Sequence, residues 1–303
     1  MSGHAAWARS RVLVVSAVGY QWFYNGANFV AFKIGGDGIP PIVLAAMRFG
    51  LAAALILPFA LWRWRLRPAR GSELASAAAL GLVMLVGSQT VALLGTHLLP
   101  AGVASVFGSS APIFLALFSW AIMRKPLGVH EVCGIALGFA GLALMAYFSY
   151  TGGGFRPLGA ALTLAASASW AAGSLWARRL RLPADAIVAL AAQLITAAFV
   201  LGLAVGTIGM FSRLDVSEVP VSAWLALTFL VVASTLVGYT VFLAVNAEVS
   251  PTIANTFNYA APVVALLLSA FLLGERLTLP KLLAAAVALA GVALMMRVSR
   301  DDE

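Results

Sequence analysis

Residues 101–122 read AGVASVFGSSAPIFLALFSWAI, and residues 251–272 read PTIANTFNYAAPVVALLLSAFL. Both runs are uncharged over 22 residues, and an α-helix needs about 20 predominantly apolar residues to cross the roughly 30 Å hydrocarbon layer of a bilayer. Aligned without a gap, the two runs place Phe107 on Phe257 and Pro112 on Pro262. The pair therefore predicts membrane-spanning helices in a chain built from two copies of one unit.

The duplication extends beyond these two runs. At an offset of 150 positions, residues 103–145 match residues 253–295 at 13 of 43 positions. The squared residue frequencies of this Ala- and Leu-rich composition would give roughly a tenth. Self-similarity at a fixed period indicates a repeated structural unit. We therefore predict two repeats, residues 1–150 and residues 151–303.

Apolar runs of similar length recur along the whole chain. With 62% hydrophobic and 10% charged residues among 303, the composition excludes a soluble domain, in which those fractions lie nearer a half and a quarter. It predicts an all-α membrane protein with ten transmembrane helices, five in each repeat. The predicted spans are residues 12–33, 41–62, 74–96, 101–122, 129–150, 158–178, 185–208, 222–246, 251–272 and 279–297.

The number of spans decides the topology. Because each repeat has an odd number of spans, the second repeat enters the membrane with the opposite orientation. Inverted repeats of this kind are typical of transporters, which hold a central cavity at the repeat interface. With both termini in the cytoplasm, 13 of the 19 Lys and Arg residues fall on the cytoplasmic side and five on the outer side, as the positive-inside rule requires. These clusters are topology signals, and they lack the interleaved aromatic residues of a nucleic-acid-binding surface.

Four motifs keep a fixed order along the whole chain. They are the run from Gly26 through Asn28 to Lys33, Pro41 with Arg48, the stretch from Ala101 through Pro112 to Leu127, and the stretch from Thr252 through Pro262 to Thr278. In this order they resemble the drug/metabolite transporter superfamily in its ten-helix EamA-type form, and within it the bacterial YddG-type exporters of aromatic amino acids. The resemblance implies an amino-acid exporter of the bacterial inner membrane. One motif departs from the family pattern. The Gly-Glu-Arg run of the family is present at residues 274–276, whereas the equivalent residues 124–126 read RKP.

Polar side chains recur at mid-depth on single faces of several predicted spans. Gln21, Asn25 and Asn28 are spaced i, i+4 and i+7, which puts them on one helix face. Polar groups inside a bilayer avoid lipid, so such faces predict either hydrogen bonds between helices or a solute cavity. Equivalent positions of Gln89 and Tyr239 in the two repeats favour a cavity. The residues predicted to line it are Gln21, Asn25, Asn28, Gln89, Ser109, Trp170, Ser174, Tyr239, Asn255, Asn258 and Tyr259.

Two prolines and one arginine are predicted to act as gates or hinges. Pro112 and Pro262 each remove a backbone donor within a span and free a carbonyl in the preceding turn, which predicts paired hinges. Arg48 lies about seven residues inside the second span. Three interpretations of Arg48 stay open: it binds a solute carboxylate, it binds a carbonyl freed near Pro262, or it snorkels to the outer headgroups.

The side chains at these positions favour transport of an amino acid. Trp170 and Phe257 offer ring surfaces for an aromatic or bulky apolar side chain, and the amide and hydroxyl groups suit the ammonium and carboxylate of a zwitterion. None of the eleven acidic residues lies at mid-depth, where proton-driven transporters commonly keep one. We therefore predict facilitated diffusion by alternating access. Export of another small metabolite or drug, and a solute channel, remain alternatives.

Other functional classes lack the residues they need. The chain has one cysteine, and its three histidines lie near or outside the span ends. It has neither paired acids at mid-span nor a serine with a neighbouring histidine and acid. We therefore predict that the chain is not an enzyme and binds neither a metal nor a cofactor. Its predicted partners are an amino acid and the lipid bilayer.

The fifth and tenth predicted spans carry small residues at four-residue spacing. Gly134 with Gly138, and Ala284 with Ala288, form these faces. Small residues at this spacing let two helix backbones approach closely. The pattern predicts either packing support within the chain or a homodimer through these two helices.

Overall fold

The computed structural model describes residues 11–124, 127–151, 155–211, 214–248 and 256–298, and within those ranges it contains helices and no strand. Each predicted span coincides with one helix, although residues 251–255 lie outside the described part. The helices are α1 (Arg11–Gly38), α2 (Pro41–Leu66), α3 (Gly71–His97), α4 in two halves (Ala101–Gly108 and Ala111–Met123), α5 (Val129–Thr151), α6 (Pro157–Ala177), α7 (Ala186–Thr207), α8 (221–248), α9 (Phe257–Leu273) and α10 (Leu279–Val298).

The length and composition of the helices establish a multi-pass membrane protein. Seven helices, α2 to α8, are long and apolar enough to cross a membrane. The described parts of α9 and α10 are apolar but shorter. Helix α1 has 28 residues and carries the polar residues Gln21, Asn25 and Asn28, which lower its hydropathy. The prediction of ten spans therefore remains a prediction for α1, α9 and α10.

Prolines and capping groups set the helix ends. Helices α2 and α6 begin at Pro41 and Pro157, and the first helical turn tolerates proline because its N–H groups lack intrahelical acceptors. Helix α9 ends at Gly274, whose φ of 66° is left-handed and therefore suits glycine. Arg124 ends α4 with a φ of 53°, so the two equivalent helices end in the same backbone conformation.

Helices α3 and α8 each contain a π-helical segment at their centre. The segments are Leu82–Thr90 and Phe229–Val237, each nine residues long. In each segment a threonine hydroxyl donates to a carbonyl five residues earlier, Thr90 to Leu85 at 3.1 Å and Thr235 to Leu230 at 2.7 Å. Such wide turns redirect the side chains that follow, and they are frequent at functional sites.

Helix contacts repeat when the two halves of the chain are exchanged. Helix α1 packs on α9, and its counterpart α6 packs on α4. Helix α8 packs on α1, and its counterpart α3 packs on α6. Helices α2 and α7 pack on each other, as do α5 and α10. This pattern agrees with two structurally similar halves.

Glycines bring α5 and α10 into backbone contact. A Cβ atom built on Gly141 would overlap the backbone of Ala288, and one built on Gly291 would overlap the backbone of Gly138. The small-residue faces of the two helices thus fill each other within one chain. A homodimer through α5 and α10 stays a prediction, and it would have to use their remaining faces.

A helix cap joins two distant parts of the chain at one end of the bundle. Helices α1 and α3 end there, and α4 and α8 begin there. The carboxylate of Glu275 accepts hydrogen bonds from the backbone N–H groups of Ala101 and Gly102. These N–H groups lie in the first turn of α4, which has no intrahelical acceptors for them. The side chains of Ile39 and Leu99 are buried at the same end. Glu275, which follows α9, therefore holds the end of α9 to the start of α4.

Replacing Glu275 with alanine is expected to lower the free energy of unfolding by about 1–2 kcal/mol, the usual contribution of an N-terminal cap. Thermal unfolding in detergent measures the change, with Glu218→Ala as the control because Glu218 is exposed. Equal midpoints for the two variants would show that the cap does not contribute to stability.

The opposite end of the bundle carries an ion pair between α2 and α7. Arg63 Nε lies 2.7 Å from Asp185 Oδ2, and Asp185 also accepts from the N–H groups of Ile187 and Val188 at the start of α7. Burial acts to raise the pKa of Asp185, but the hydrogen bonds from Arg63 and the two backbone groups outweigh it, so the pKa lies below its usual value. Asp185 is therefore ionised at neutral pH and holds the two helices together.

Candidate functional site

A cavity of about 150 Å³ lies at the centre of the helix bundle. Its walls come from α1, α2, α3, α4, α6, α7, α8 and α9, whereas α5 and α10 contribute no lining residue in the described part of the chain. An engineered cavity of similar volume in another protein accepts a benzene ring. The space therefore suits a small organic solute. It also includes Gly108, Ser109 and Ala111 around the break in α4.

Most of the predicted site residues lie in the cavity wall. Helices α3 and α8 present theirs from, or immediately after, their π-helical segments. Helix α4 presents Ser109 at its break. The predicted residues in the wall are Asn25, Asn28, Gln89, Ser109, Trp170, Tyr239 and Asn258, together with Arg48.

Three predicted residues do not line the cavity. Gln21 is fully buried one turn before Asn25, and its backbone carbonyl accepts a hydrogen bond from the Asn25 amide. The Ser174 hydroxyl donates to the Trp170 carbonyl at 2.8 Å, so it bonds within its own helix. Tyr259 packs against the small apolar cluster of Ile113 and Val292. Asn255 lies outside the described residues.

The two prolines flank the cavity and do not line it. Pro112 is in the first turn of the second half of α4, where its missing N–H leaves no helical bond unmade. The break in α4 falls at Ser109 and Ser110, before the proline. Pro262 is buried inside α9. Their action as hinges remains a prediction.

Arg48 is the charged group of the cavity wall. Its side chain is almost fully buried, with 3% of the residue exposed. Nε donates to Thr235 Oγ1 at 2.9 Å, and the terminal nitrogens donate to Ser234 Oγ at 3.2 Å and Gln89 Oε1 at 3.4 Å. This burial contradicts the interpretation that Arg48 snorkels to the headgroups. Its hydrogen-bonding partners are side chains of α3 and α8, not a carbonyl near Pro262.

The partners of Arg48 are neutral. No carboxylate in the described ranges forms an ion pair with it, and none lines the cavity. The guanidinium carbon lies 5.5 Å from the ring centre of Phe32 and 5.1 Å from that of Phe49, contacts that partly stabilise a buried cation. A buried cation without an anion is costly, so the cavity is electrostatically suited to an anionic group of a solute.

Aromatic side chains form one side of the cavity. Phe242 lies at the centre of this group, with ring-centre distances of 6.4 Å to Trp170, 6.1 Å to Tyr239 and 6.4 Å to Phe257. These four residues, here called the aromatic shelf, all line the cavity. The contacts of Phe242 with Trp170 and Phe257 are edge to face, an arrangement that is favourable for aromatic rings. The shelf thus offers ring surfaces to an apolar or aromatic side chain.

Two carbonyl oxygens of side-chain amides in the wall have no hydrogen-bond partner. Asn28 Oδ1 in α1 and Gln193 Oε1 in α7 are both buried and unpaired within the described structure, and both residues line the cavity. Gln193 also interacts with the Tyr239 hydroxyl. Its position depends on Gly81, because a Cβ atom there would overlap the Gln193 backbone. Buried acceptors without donors are rare in proteins.

The model of the EamA-like transporter family matches the chain twice, over residues 15–147 and residues 157–297. The chain belongs to the EamA-like transporter family. Its membrane-embedded helices and central cavity are thus those of a membrane transporter.

Named relatives of this family span nearly the whole chain. The uncharacterized inner membrane transporter YedA of Escherichia coli K12 is 33% identical over 275 residues, covering 89% of this chain and 86% of YedA. A probable amino-acid metabolite efflux pump of the same organism is 27% identical, covering 88% of this chain and 89% of the pump. One crystal structure superposes with a TM-score of 0.63 at 21% identity, over 97% of this chain and 100% of that chain, which indicates a shared fold alone.

Proposed function

We propose that this transporter exports amino acids, aromatic and other bulky neutral ones above all, from the cytoplasm across the bacterial inner membrane. The observation that carries the proposal is Arg48, a guanidinium buried in the cavity wall with neutral partners. A solute carboxylate would supply the missing anion through charge-assisted hydrogen bonds, which are about twice as strong as neutral ones.

The aromatic shelf supports the choice of side chain. Its rings face the same cavity as Arg48, so one solute can place a carboxylate at one and an apolar group at the other. The name of the Escherichia coli relative, a probable amino-acid metabolite efflux pump, agrees with this class of solute. A cationic drug is disfavoured because Arg48 would repel it.

Alternating access between two inverted five-helix repeats, residues 1–150 and residues 151–303, is the proposed mechanism. The double family match and the contacts that repeat on exchange of the halves support it. Ten spans with both termini in the cytoplasm follow from the distribution of Lys and Arg. Transport is facilitative, since no acidic residue lines the cavity in the described part of the chain to carry a proton.

Counterflow in proteoliposomes tests the proposal. Preloaded L-phenylalanine or L-leucine should accelerate entry of the labelled amino acid, whereas a sugar or a quaternary ammonium ion should not. Initial rates should be similar with and without an imposed pH gradient. Linear, non-competing flux would support a channel instead, and uptake above equilibrium that an uncoupler abolishes would overturn facilitated diffusion.

Replacing Trp170 with alanine is expected to weaken transport of L-phenylalanine about tenfold and that of L-alanine less than twofold. The ring lines the cavity and contacts Phe242 edge to face, and an aromatic contact contributes about 0.5–1.5 kcal/mol beyond the area it buries. Initial counterflow rates measure the effect. Trp176→Ala is the control because Trp176 is exposed on the same helix; equal losses for both amino acids would contradict an aromatic wall.

A further inference from the structure

We infer that Asn28 and Gln193 form a subsite for the ammonium group of the transported solute. The inference rests on the proposed function and deepens it, because it assigns the second polar end of the amino acid. Asn28 is 6% and Gln193 2% exposed. The amide oxygens of both are unpaired in the structure, and both side chains line the cavity that holds Arg48.

The chemistry of the two oxygens decides the ligand group. A carbonyl oxygen only accepts hydrogen bonds, so its partner must be a donor. An ammonium carries three N–H donors, which is enough to donate one hydrogen bond to each oxygen. Leaving a buried acceptor unpaired is costly, and a solute that supplies the donors removes that cost on binding.

Arg48 limits which amines can use the subsite. An amine without a carboxylate would bring a second cation into a cavity that already holds the guanidinium, and like charges at short range repel strongly where water is excluded. A zwitterion neutralises Arg48 with its carboxylate and pairs the two oxygens with its ammonium. The subsite therefore favours amino acids over carboxylates that lack the amino group. It favours those carboxylates, in turn, over amines that lack a carboxylate.

The two acceptors come from different halves of the chain. Asn28 is on α1 and Gln193 is on α7, whose backbone is held close to α3 at Gly81. An ammonium bound between the two side chains would bridge the repeats. Binding of the amino group is thus sensitive to the relative position of the halves.

Isothermal titration calorimetry of the purified protein tests the inference by measuring the affinity for three probes: L-phenylalanine, 3-phenylpropionate and phenethylamine. The native protein should bind L-phenylalanine about tenfold to a hundredfold more tightly than 3-phenylpropionate, the range expected for hydrogen bonds to a charged group. Phenethylamine should bind most weakly. Gln193→Met and Asn28→Leu should each lose about tenfold for L-phenylalanine and change less than twofold for 3-phenylpropionate.

Ser149→Ala is the matched control. Its hydroxyl is buried and also unpaired in the described structure, but it lies on α5 and does not line the cavity. Its removal should leave the affinity for all three probes unchanged. A loss at Ser149 equal to that at Gln193 would show a general structural effect and overturn the inference.

Gln193→Glu keeps the side-chain shape and covers the case in which the apolar variants do not fold. The added anion should tighten phenethylamine binding at least about tenfold. Unchanged phenethylamine binding, or native affinity for 3-phenylpropionate equal to that for L-phenylalanine, would overturn the ammonium subsite and leave the carboxylate site standing. If the native protein binds neither carboxylate probe, the proposed function fails together with the inference.

Discussion

Replacing Arg48 with glutamine is expected to reduce L-phenylalanine counterflow at least about a hundredfold, because two charge-assisted hydrogen bonds of about 1.5–3 kcal/mol each are lost. The bundle should remain folded. Removing a buried cation that has no anionic partner removes a desolvation penalty, and the hydroxyl partners Ser234 and Thr235 can still bond an amide. Loss of transport with unchanged thermal stability is therefore the expected pair of results.

Arg63→Gln is the control for Arg48. Arg63 is ion-paired with Asp185 and does not line the cavity, so this variant should lower stability and retain transport. The counterflow rate of Arg48→Lys should lie between those of the native protein and Arg48→Gln, because an ammonium is a point charge without the planar fork of a guanidinium. Native transport rates for Arg48→Gln would contradict a role for Arg48 in binding the carboxylate.

Replacing Gly141 with alanine is expected to lower the free energy of unfolding by about 3 kcal/mol, at the upper end of the usual range for overpacking. The added methyl group would overlap the backbone of Ala288. Backbone atoms cannot rotate away as a side chain can, so α5 and α10 would have to separate. Thermal or denaturant unfolding of the purified protein in detergent measures the loss.

Gly202→Ala is the matched control for Gly141. Gly202 is also within a membrane-spanning helix, α7, and a Cβ atom there has nothing within 4 Å. Its replacement should be neutral or stabilise by up to about 1 kcal/mol, the difference in helix propensity between glycine and alanine. If both glycine variants unfold at the same midpoint, the backbone contact between α5 and α10 is not a determinant of stability.

The positions of the helices could be predicted from the apolar runs and from the residues that interrupt them. The predicted span 129–150 corresponds to α5 at Val129–Thr151, and the predicted span 158–178 to α6 at Pro157–Ala177. Charges, prolines and glycines interrupt the apolar runs, and these interruptions are where the helices end. The residues that interrupt the apolar runs thus predict where each helix ends.

The cavity could be predicted only in part. Polar residues on one helix face indicate the direction in which they point but not the depth at which the cavity ends, and Gln21 lies one turn beyond it although it shares a face with Asn25 and Asn28. Gln193 was not predicted. A polar residue within the apolar helix α7 was the available signal, but its repeat counterpart, Val43, gave no symmetry to support it.

Tertiary contacts set the features that the sequence did not reveal. The π-helical segments of α3 and α8 contain no proline. They are stabilised by threonine hydroxyls and by Arg48 across the bundle. The cap of Glu275 on α4 joins residues that are 174 positions apart. Local patterns carry no information about such pairs.

The cap of Glu275 makes the two ends of the helix bundle unequal. The aligned residue of the first repeat is Lys125, whose ammonium cannot accept a hydrogen bond from a backbone N–H. A cap that stabilises by about 1–2 kcal/mol favours the conformation that keeps it about five- to thirtyfold. Apparent affinity falls with the fraction of molecules that expose the binding-competent state. A carrier that only equilibrates its solute would therefore half-saturate at different concentrations on its two faces, with maximal rates that differ in the same proportion.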